Sequence, residues 1–313
     1  MDLEACLPPA LRADSPTISK IAAGLSGAGV YRVATADAAY VLKVSSGDEP
    51  LADWQRKAHV QALAAAAGVA PRVVHSDEAR RAIVSELVVD RGFAPYYGNP
   101  ASHAAALAQL GQTLRRVHDL PVPADATARD LRPLITMMRD GLAAAGLLPG
   151  FARDASQRVL DEAAPAAERP AVLSHNDVNP TNVVFDGERV VLLDWDMAGI
   201  NDADYDLAAI AVFLRMDEPT CLALLSAHDG APVTALRPRF AYDRRLVAVA
   251  CGVIFLHLAH AAGKRAAGAE DTFDATLSLG ELYPQMRAGA IDLATGDGRW
   301  KMGLALIKES TRL

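Results

Sequence analysis

Apolar and polar positions alternate in short runs through the first ninety residues and then settle into longer helical periods. Ile18–Ala23, Val30–Thr35 and Ala39–Val44 carry β-branched residues with glycines between them and are predicted as strands. Leu51–Ala67 has helical spacing and stops at Gly68. Val73–His75 and Ala82–Val89 read as two further strands, followed by a linker rich in Gly, Pro and Tyr, Asp90–Pro100. Beyond it the Ala/Leu periodicity predicts helices over Ser102–His118, Leu131–Ala145 and Ala152–Ala164. Two short strands, Asn182–Phe185 and Val190–Leu193, flank the turn Asp186–Glu188. From Asp206 on the chain reads as mostly helical. The pattern predicts an α+β chain with a small antiparallel-sheet N-lobe, residues 1–88, and a larger helical C-lobe, residues 89–313.

Composition and charge narrow the picture. Of 313 residues, 51% are hydrophobic, enough for a sizeable core. The net charge of −7 argues against a nucleic-acid or anionic-membrane partner and leaves room for a cationic one. Leu246–Gly263 is the most apolar run, but His257 and His260 interrupt it, so a buried helix is expected there and not a membrane span. Cys6, Cys221 and Cys251 fit no zinc spacing and read as buried thiols of a protein in a reducing cytoplasm. The acidic N-terminus has no pattern of a signal peptide.

Three stretches carry chemistry. Gly24, Gly27 and Gly29 lie between two predicted strands, where the backbone can approach phosphate oxygens; a plain hairpin turn is the alternative. Lys43 stands among Val41, Leu42 and Val44, so it is either a lysine guarding a sheet edge or one that needs an anionic partner. "HNDVNPTN" (175–182) precedes a strand pair ending in "LLDWD" (192–196). Phosphoryl transfer needs positioned phosphates, a metal that offsets charge and a carboxylate that orients the attacking hydroxyl. Asp177, Asn182 and Asp194 are spaced to supply the carboxylate and two oxygen ligands for such a metal.

These two motifs resemble the catalytic and metal loops of the aminoglycoside phosphotransferase and choline kinase superfamily, relatives of protein kinases. The resemblance extends over nearly the whole chain, through the glycine loop, Lys43, "LGQTLRRVHDL" (110–120) and "DADYDLA" (202–208). It implies a protein-kinase-like bilobal fold and an ATP- and Mg2+-dependent transfer of the γ-phosphate to a hydroxyl of a small molecule. It implies Asp177 as the catalytic base, Asn182 and Asp194 as magnesium ligands, and Lys43 on the α- and β-phosphates. Ser26, Gly27 and Gly29 would cover the triphosphate, and the Ser85–Val88 stretch, Glu86 and Val88 included, would meet adenine. His175 would brace the catalytic loop, Asp206 would anchor it, and Asp196 would be an outer metal contact or an acceptor contact.

One position departs from the family pattern. A glutamate on the N-lobe helix ordinarily pairs with the strand lysine; here His59 stands in its place, and the only acid of that helix is Asp53. Either neutral His59 accepts from Lys43, or Asp48 or Glu49 substitutes, or the lysine is poorly placed. The last case leaves a catalytically weak or inactive nucleotide-binding module as the alternative function. For the acceptor, the acidic balance suggests a cation such as an aminoglycoside, an amino alcohol or a thiamine-like compound, met by Asp196, Asp202, Asp204, Glu270, Asp271 or Asp274. Trp195, Tyr205, Phe255, Phe273, Tyr283 and Trp300 are candidates for a cation–π site. The late helix lacks the tryptophans expected of a choline pocket. The twelve-residue step from Asp194 to Asp206 is too short for a regulated protein-kinase activation loop. A monomer or homodimer acting on a small molecule is expected.

Overall fold

The computed structural model describes residues 2–21, 29–264 and 266–313. The chain folds as two compact units: Met1–Thr127 with Val172–Ile200 and Ser226–Pro232, and Ala128–Ala171 with Asn201–Leu225 and Val233–Leu313. This grouping by compactness cuts differently from the lobe division expected at residue 88. The class is as expected, a mixed α+β molecule with a small antiparallel sheet and a helical region.

The first unit is built on five strands: β1 (Thr17–Lys20), β2 (Gly29–Ala34), β3 (Ala39–Val44), β4 (Val73–Asp77) and β5 (Ala82–Glu86). Their order is β1-β2-β3-β5-β4, antiparallel throughout. Alternation along β3 decides where Lys43 goes. Leu42 and Val44 point into a core with Val33, Ala82 and Val84, covered by Cys6, Leu7 and Leu11 from the N-terminal segment and its helix α1 (Pro9–Ala13). Lys43 therefore projects from the opposite face, together with its register partner Ile83. Helix α2 (Leu51–Ala66) follows β3, buries Trp54, Val60 and Ala64, and ends as Gly68 turns the chain at φ +72°.

The stretch expected as a linker is partly helical. Gly92, at φ +91°, starts α3 (Phe93–Gly98), whose Phe93 is buried. The Asp90 carboxylate accepts from the backbone N–H of Gly92 at 2.8 Å and of Phe185 at 3.1 Å, which ties this segment to the 183–192 hairpin. Tyr96 stacks on Phe185, with ring centroids 4.0 Å apart. Helix α4 (His103–His118) buries Ala106, Leu107, Leu110, Leu114 and Val117, one face at helical spacing. It packs on two strands, β6 (Val172–Ser174) and β8 (Val190–Leu192), and β8 forms a hairpin with β7 (Val183–Phe185).

The second unit is helical. Helices α5 (Arg132–Ala144), α6 (Gly150–Asp161) and α7 (Ala203–Phe213) precede α8 (Glu218–Asp229), and β9 (Gly199–Asn201), the strand paired with β6, leads into α7. Helices α9 (Pro238–Ala261), α10 (Leu279–Arg287) and α11 (Gly296–Ser310) complete the chain. Helix α9 is long and apolar enough to cross a membrane, yet Leu246, Val249, Val253 and Leu256 lie in the core of this unit. Helices α9 and α11 meet at Gly252 and Gly303. A Cβ at Gly252 would stand 2.9 Å from the Gly303 carbonyl oxygen, so neither position accepts a side chain at this spacing.

Candidate active site

The first unit brings Lys43, Asp194 and Asp196 together. Lys43 Nζ lies 2.8 Å from Asp194 Oδ1 and 2.7 Å from Asp196 Oδ1. Burial alone pushes the ammonium's pKa down, but the Asp196 and Asp194 carboxylates more than offset it, and the pKa is raised. Lys43 is thus a charged lysine with two anionic partners, and not a guard on a sheet edge, since β3 has neighbours on both sides.

The two aspartates are held by the backbone around them. Asp194 has φ +59°, a left-handed conformation that Asp tolerates better than bulkier residues. Asp196 sits in a short 3-10 turn, Trp195–Met197. Trp195 anchors that turn: it is buried, donates Nε1–H to the Leu192 carbonyl at 3.0 Å, and meets the His175 ring edge-on at 4.7 Å.

The loop 175–182 is a net of amides around one carboxylate. Asn179 Nδ2 donates to Asp177 Oδ1 at 3.0 Å and Asn182 Nδ2 donates to Asp177 Oδ2 at 2.9 Å. Asn182 Nδ2 also donates to the Asp177 carbonyl at 2.9 Å. Burial raises the Asp177 pKa above the ordinary carboxylate value and the Asp194 charge adds to it, against His175 and the two amides. His175 is fully buried; its Nε2 donates to the Leu193 carbonyl at 2.9 Å and its Nδ1 accepts from the Asp177 N–H at 3.3 Å. The ring therefore bridges the Asp177 loop and the strand end that carries Asp194.

Two residues of this net escaped the sequence reading, Asn176 and Asn179. Asn176 has φ +63° and its Nδ2 donates to the carbonyls of Ser174, Met197 and Gly199. The available signal was residue type: Asn is the side chain most at ease in a left-handed position and able to bond locally.

An amide oxygen and a carboxylate oxygen remain for a metal. Asn182 uses Nδ2 on Asp177, and neither its Oδ1 nor Asp194 Oδ2 has a hydrogen bond among the described residues. Asn182 and Asp194 flank the β7–β8 hairpin, whose register sets Val183 opposite Leu192. Such a hard, partly filled oxygen set fits Mg2+, which keeps several of its waters. No cluster of three or more His, Cys, Asp or Glu side chains able to hold a metal occurs among the described residues.

The other expected nucleotide residues are more dispersed. Ser26 and Gly27 lie outside the described residues, and Gly29 opens β2 opposite Val44. Glu86 ends β5; its N–H donates to the Arg72 carbonyl at 2.9 Å and its side chain accepts from the Arg72 N–H at 3.1 Å. Val88, just past β5, is half-buried and makes no hydrogen bond to another described residue. His59 does not meet Lys43. It is exposed and lines a cavity of about 450 Å3 with Trp54, Gln55, Ile83 and Asp125. Glu49 is likewise engaged elsewhere, 2.5 Å from Lys57 Nζ.

This geometry coincides with a sequence match. Residues 17–248 fit the family model described as the phosphotransferase enzyme family. The chain belongs to that family. No curated protein sequence matches it. Among solved structures, a choline/ethanolamine kinase family protein from Mesorhizobium loti is 19% identical, with 98% of each chain covered and a TM-score of 0.58. A macrolide 2'-phosphotransferase from Brachybacterium faecium is 18% identical over 84% of this chain and 94% of its own, with a TM-score of 0.59. LicA, a choline kinase of Streptococcus pneumoniae, solved in complex with AMP, is 14% identical over 98% and 96%, with a TM-score of 0.55. These likenesses establish a choline-kinase-like fold. The expected phosphotransferase is borne out, a small-molecule kinase by family.

The phosphotransferase places most of its expected acceptor carboxylates in internal pairs. Asp196 is on Lys43. In the second unit Asp204 takes a two-pronged bond from Arg237, with Nε 2.9 and 3.0 Å from its two oxygens. Asp202 caps α7 through the Asp204 N–H and lies 3.7 Å from Arg239. Asp271 accepts from Trp300 Nε1 at 3.0 Å. Glu270 and Asp274 are exposed and outside any ion pair among the described residues. Trp300 and Phe273 do carry cations on their rings, but these are the chain's own Lys264, at 4.7 Å, and Lys308, at 4.8 Å. His260 bonds the Lys264 carbonyl at 2.9 Å and His257 is exposed.

Proposed function

We propose that the protein transfers the γ-phosphoryl group of ATP to a hydroxyl of a small molecule, with Mg2+ as the metal. One observation carries the reading: Lys43, from the sheet, and Asp194 and Asp196, from the end of the catalytic hairpin, converge within hydrogen-bond distance. A lysine so placed neutralises phosphate oxygens, and a carboxylate and an amide oxygen beside it hold a divalent cation. The bound Mg2+ would draw charge from the phosphate oxygens as it builds.

The chain's own residues do the rest. Asp177, with both oxygens fixed by Asn179 and Asn182, directs one lone pair at the acceptor hydroxyl. As the hydroxyl oxygen bonds to the γ-phosphorus, the bond from that phosphorus to the bridging oxygen breaks, ADP leaves, and the hydroxyl proton passes to Asp177. The raised pKa of Asp177 suits a group that must take up a proton and release it. Val88, whose backbone groups have no hydrogen bond to another described residue, and Glu86 are the proposed adenine contacts, and Gly29, with Ser26 and Gly27, is proposed to cover the phosphates.

The missing helix glutamate does not favour an inactive module, because Lys43 is already paired with two carboxylates. The acceptor is the finer part of the reading. The net charge of −7 favours a cationic hydroxyl compound, an aminoglycoside, amino alcohol or thiamine-like molecule, and Glu270 and Asp274 are the carboxylates left to meet it. The three cysteines are free thiols, in keeping with a cytoplasmic enzyme. The test is ADP release from Mg-ATP across a panel of hydroxylated amines, sugars and antibiotics. An acceptor-dependent rate that Asp177→Asn lowers by about a thousandfold supports the reading. No acceptor-dependent rate and no binding of ATP would end it.

A further inference from the structure

The number of carboxylates around Lys43 points to a division of labour. A lysine cation needs one carboxylate; Lys43 has two, at 2.8 and 2.7 Å. A metal at Asn182 and Asp194 would draw Asp194 toward itself, and the lysine would then need another partner to stay extended toward the phosphates.

Helix α2 does not supply that partner. Its only acid, Asp53, is paired with Arg56, and Glu49, ahead of the helix, is paired with Lys57. His59 is exposed and makes no bond to Lys43, although it lines the same cavity as Ile83, Lys43's register partner.

Asp196 is fixed from both sides. Trp195 before it is locked by its bond to the Leu192 carbonyl and by the His175 ring; Met197 after it gives its carbonyl to Asn176 Nδ2 at 3.2 Å. Asp194, by contrast, is the more exposed of the two, with 37% of its side chain accessible against 27% for Asp196, and it follows β8, on the hairpin that Asn182 precedes; each aspartate keeps its second oxygen free of hydrogen bonds among the described residues. A rigidly held carboxylate suits a permanent partner, and the more exposed one, on the hairpin beside Asn182, suits a metal that keeps its waters.

We propose that Asp196 is the positioning residue for Lys43, doing from the end of the catalytic hairpin what a glutamate on α2 would otherwise do, while Asp194 serves the metal. This rests on the proposed phosphotransfer at the same site. It makes Lys43's placement independent of α2 and dependent on the Trp195–Met197 turn.

The test is a double-mutant cycle on the full chain, with ATP hydrolysis in the absence of acceptor as the probe reaction. Asp196→Asn is expected to lower kcat/KM for ATP about tenfold in the presence of Lys43 and by less than about twofold in a Lys43→Met background. Asp196→Glu, which keeps the charge, is expected to recover activity to within about threefold of wild type, which a merely misfolded turn would not do. Equal losses in both lysine backgrounds would overturn the proposal. A second readout needs no turnover: Mn2+ bound with a non-hydrolysable ATP analogue, followed by electron paramagnetic resonance. Asp194→Asn is expected to weaken Mn2+ about tenfold or more and Asp196→Asn by less than about threefold. Equal weakening would make Asp196 a metal ligand and sink the division. If wild-type protein binds neither the analogue nor Mn2+ with it, the phosphotransfer reading itself fails; if it binds both and the cycle is additive, only the role of Asp196 fails.

Discussion

Asn182 holds Asp177 twice, giving Nδ2 to its carbonyl oxygen and to its Oδ2 at 2.9 Å each. The same amide therefore shapes the loop, aims the carboxylate and leaves its own oxygen for a cation. Asn182→Ala removes all three effects, while Asn179→Ala removes the other bond to the carboxylate together with Asn179's bonds to the Asp177 carbonyl and to Thr181, and leaves the cation's amide oxygen in place. The expected result is a loss of phosphotransfer of about a thousandfold for Asn182→Ala and of about tenfold for Asn179→Ala. Initial rates of ADP release at saturating Mg2+ measure both. Equal losses would mean that Asn182 contributes no more than loop geometry.

His59 gives a second expectation, of opposite sense. The family pattern makes its position the lysine's partner, yet here the ring is exposed and Lys43 is satisfied by Asp194 and Asp196. His59→Ala should leave ATP affinity and rate within about twofold of wild type, as surface substitutions away from a polar network do. Titration of the variant with a fluorescent ATP analogue checks this. A tenfold loss would restore α2 to the lysine's environment.

The sequence was most legible where chemistry and spacing coincide. Asp177, Asn182 and Asp194 stand in a spacing that few folds other than a phosphate-handling one require, and β2, β3, α2, α4 and the β7–β8 hairpin follow from period and turn residues. Three things were not legible. Strands β6 and β9, three residues each, are too short for periodicity, and unlike β7 and β8 they have no turn between them to mark them as a pair. Helix α3 hides in "GFAPYYG", because Pro95 sits in its first turn, where a missing N–H costs nothing, and reads as a linker signal. The ion-pair partners of Asp202, Asp204 and Lys43 lie at least 33 residues away along the chain, and side-chain pairing over such distances leaves no local trace. That is why acids that looked free for an acceptor turned out to be engaged.

Arg237 and Asp204 form one of those hidden pairs. Both side chains are under a tenth exposed, and the guanidinium meets both carboxylate oxygens. Removing one partner leaves a buried charge alone, a loss of about 3–5 kcal/mol, whereas replacing both by apolar groups of similar size costs much less. Arg237→Met is therefore expected to lower the melting temperature of the chain more than the double replacement Arg237→Met/Asp204→Leu. Calorimetry of the two variants decides it. The reverse order would mean that Asp204 finds another partner once Arg237 is gone.

Asp243, on α9, sets a pH dependence of stability. It is fully buried, its Oδ1 has no hydrogen-bond partner among the described residues, and its Oδ2 takes Arg239 Nε at 3.0 Å. Burial pushes its pKa up, Arg239 opposes, and Asp202 and Asp204 add to the rise, to about 7. In the unfolded chain the same carboxyl titrates near 3.9. Below about pH 4 it is protonated in both states and costs nothing. Between there and pH 7 the unfolded chain gives up the proton while the folded chain keeps it, so stability falls as pH rises, and the fall is complete above the folded pKa. Three units correspond to about 4 kcal/mol at most. Asp243→Asn, which cannot ionise, escapes this loss. Melting curves of wild type and variant between pH 4.5 and 8 should therefore diverge in the variant's favour as pH rises; parallel curves would place the Asp243 carboxylate, ionised, in the folded protein across the whole range.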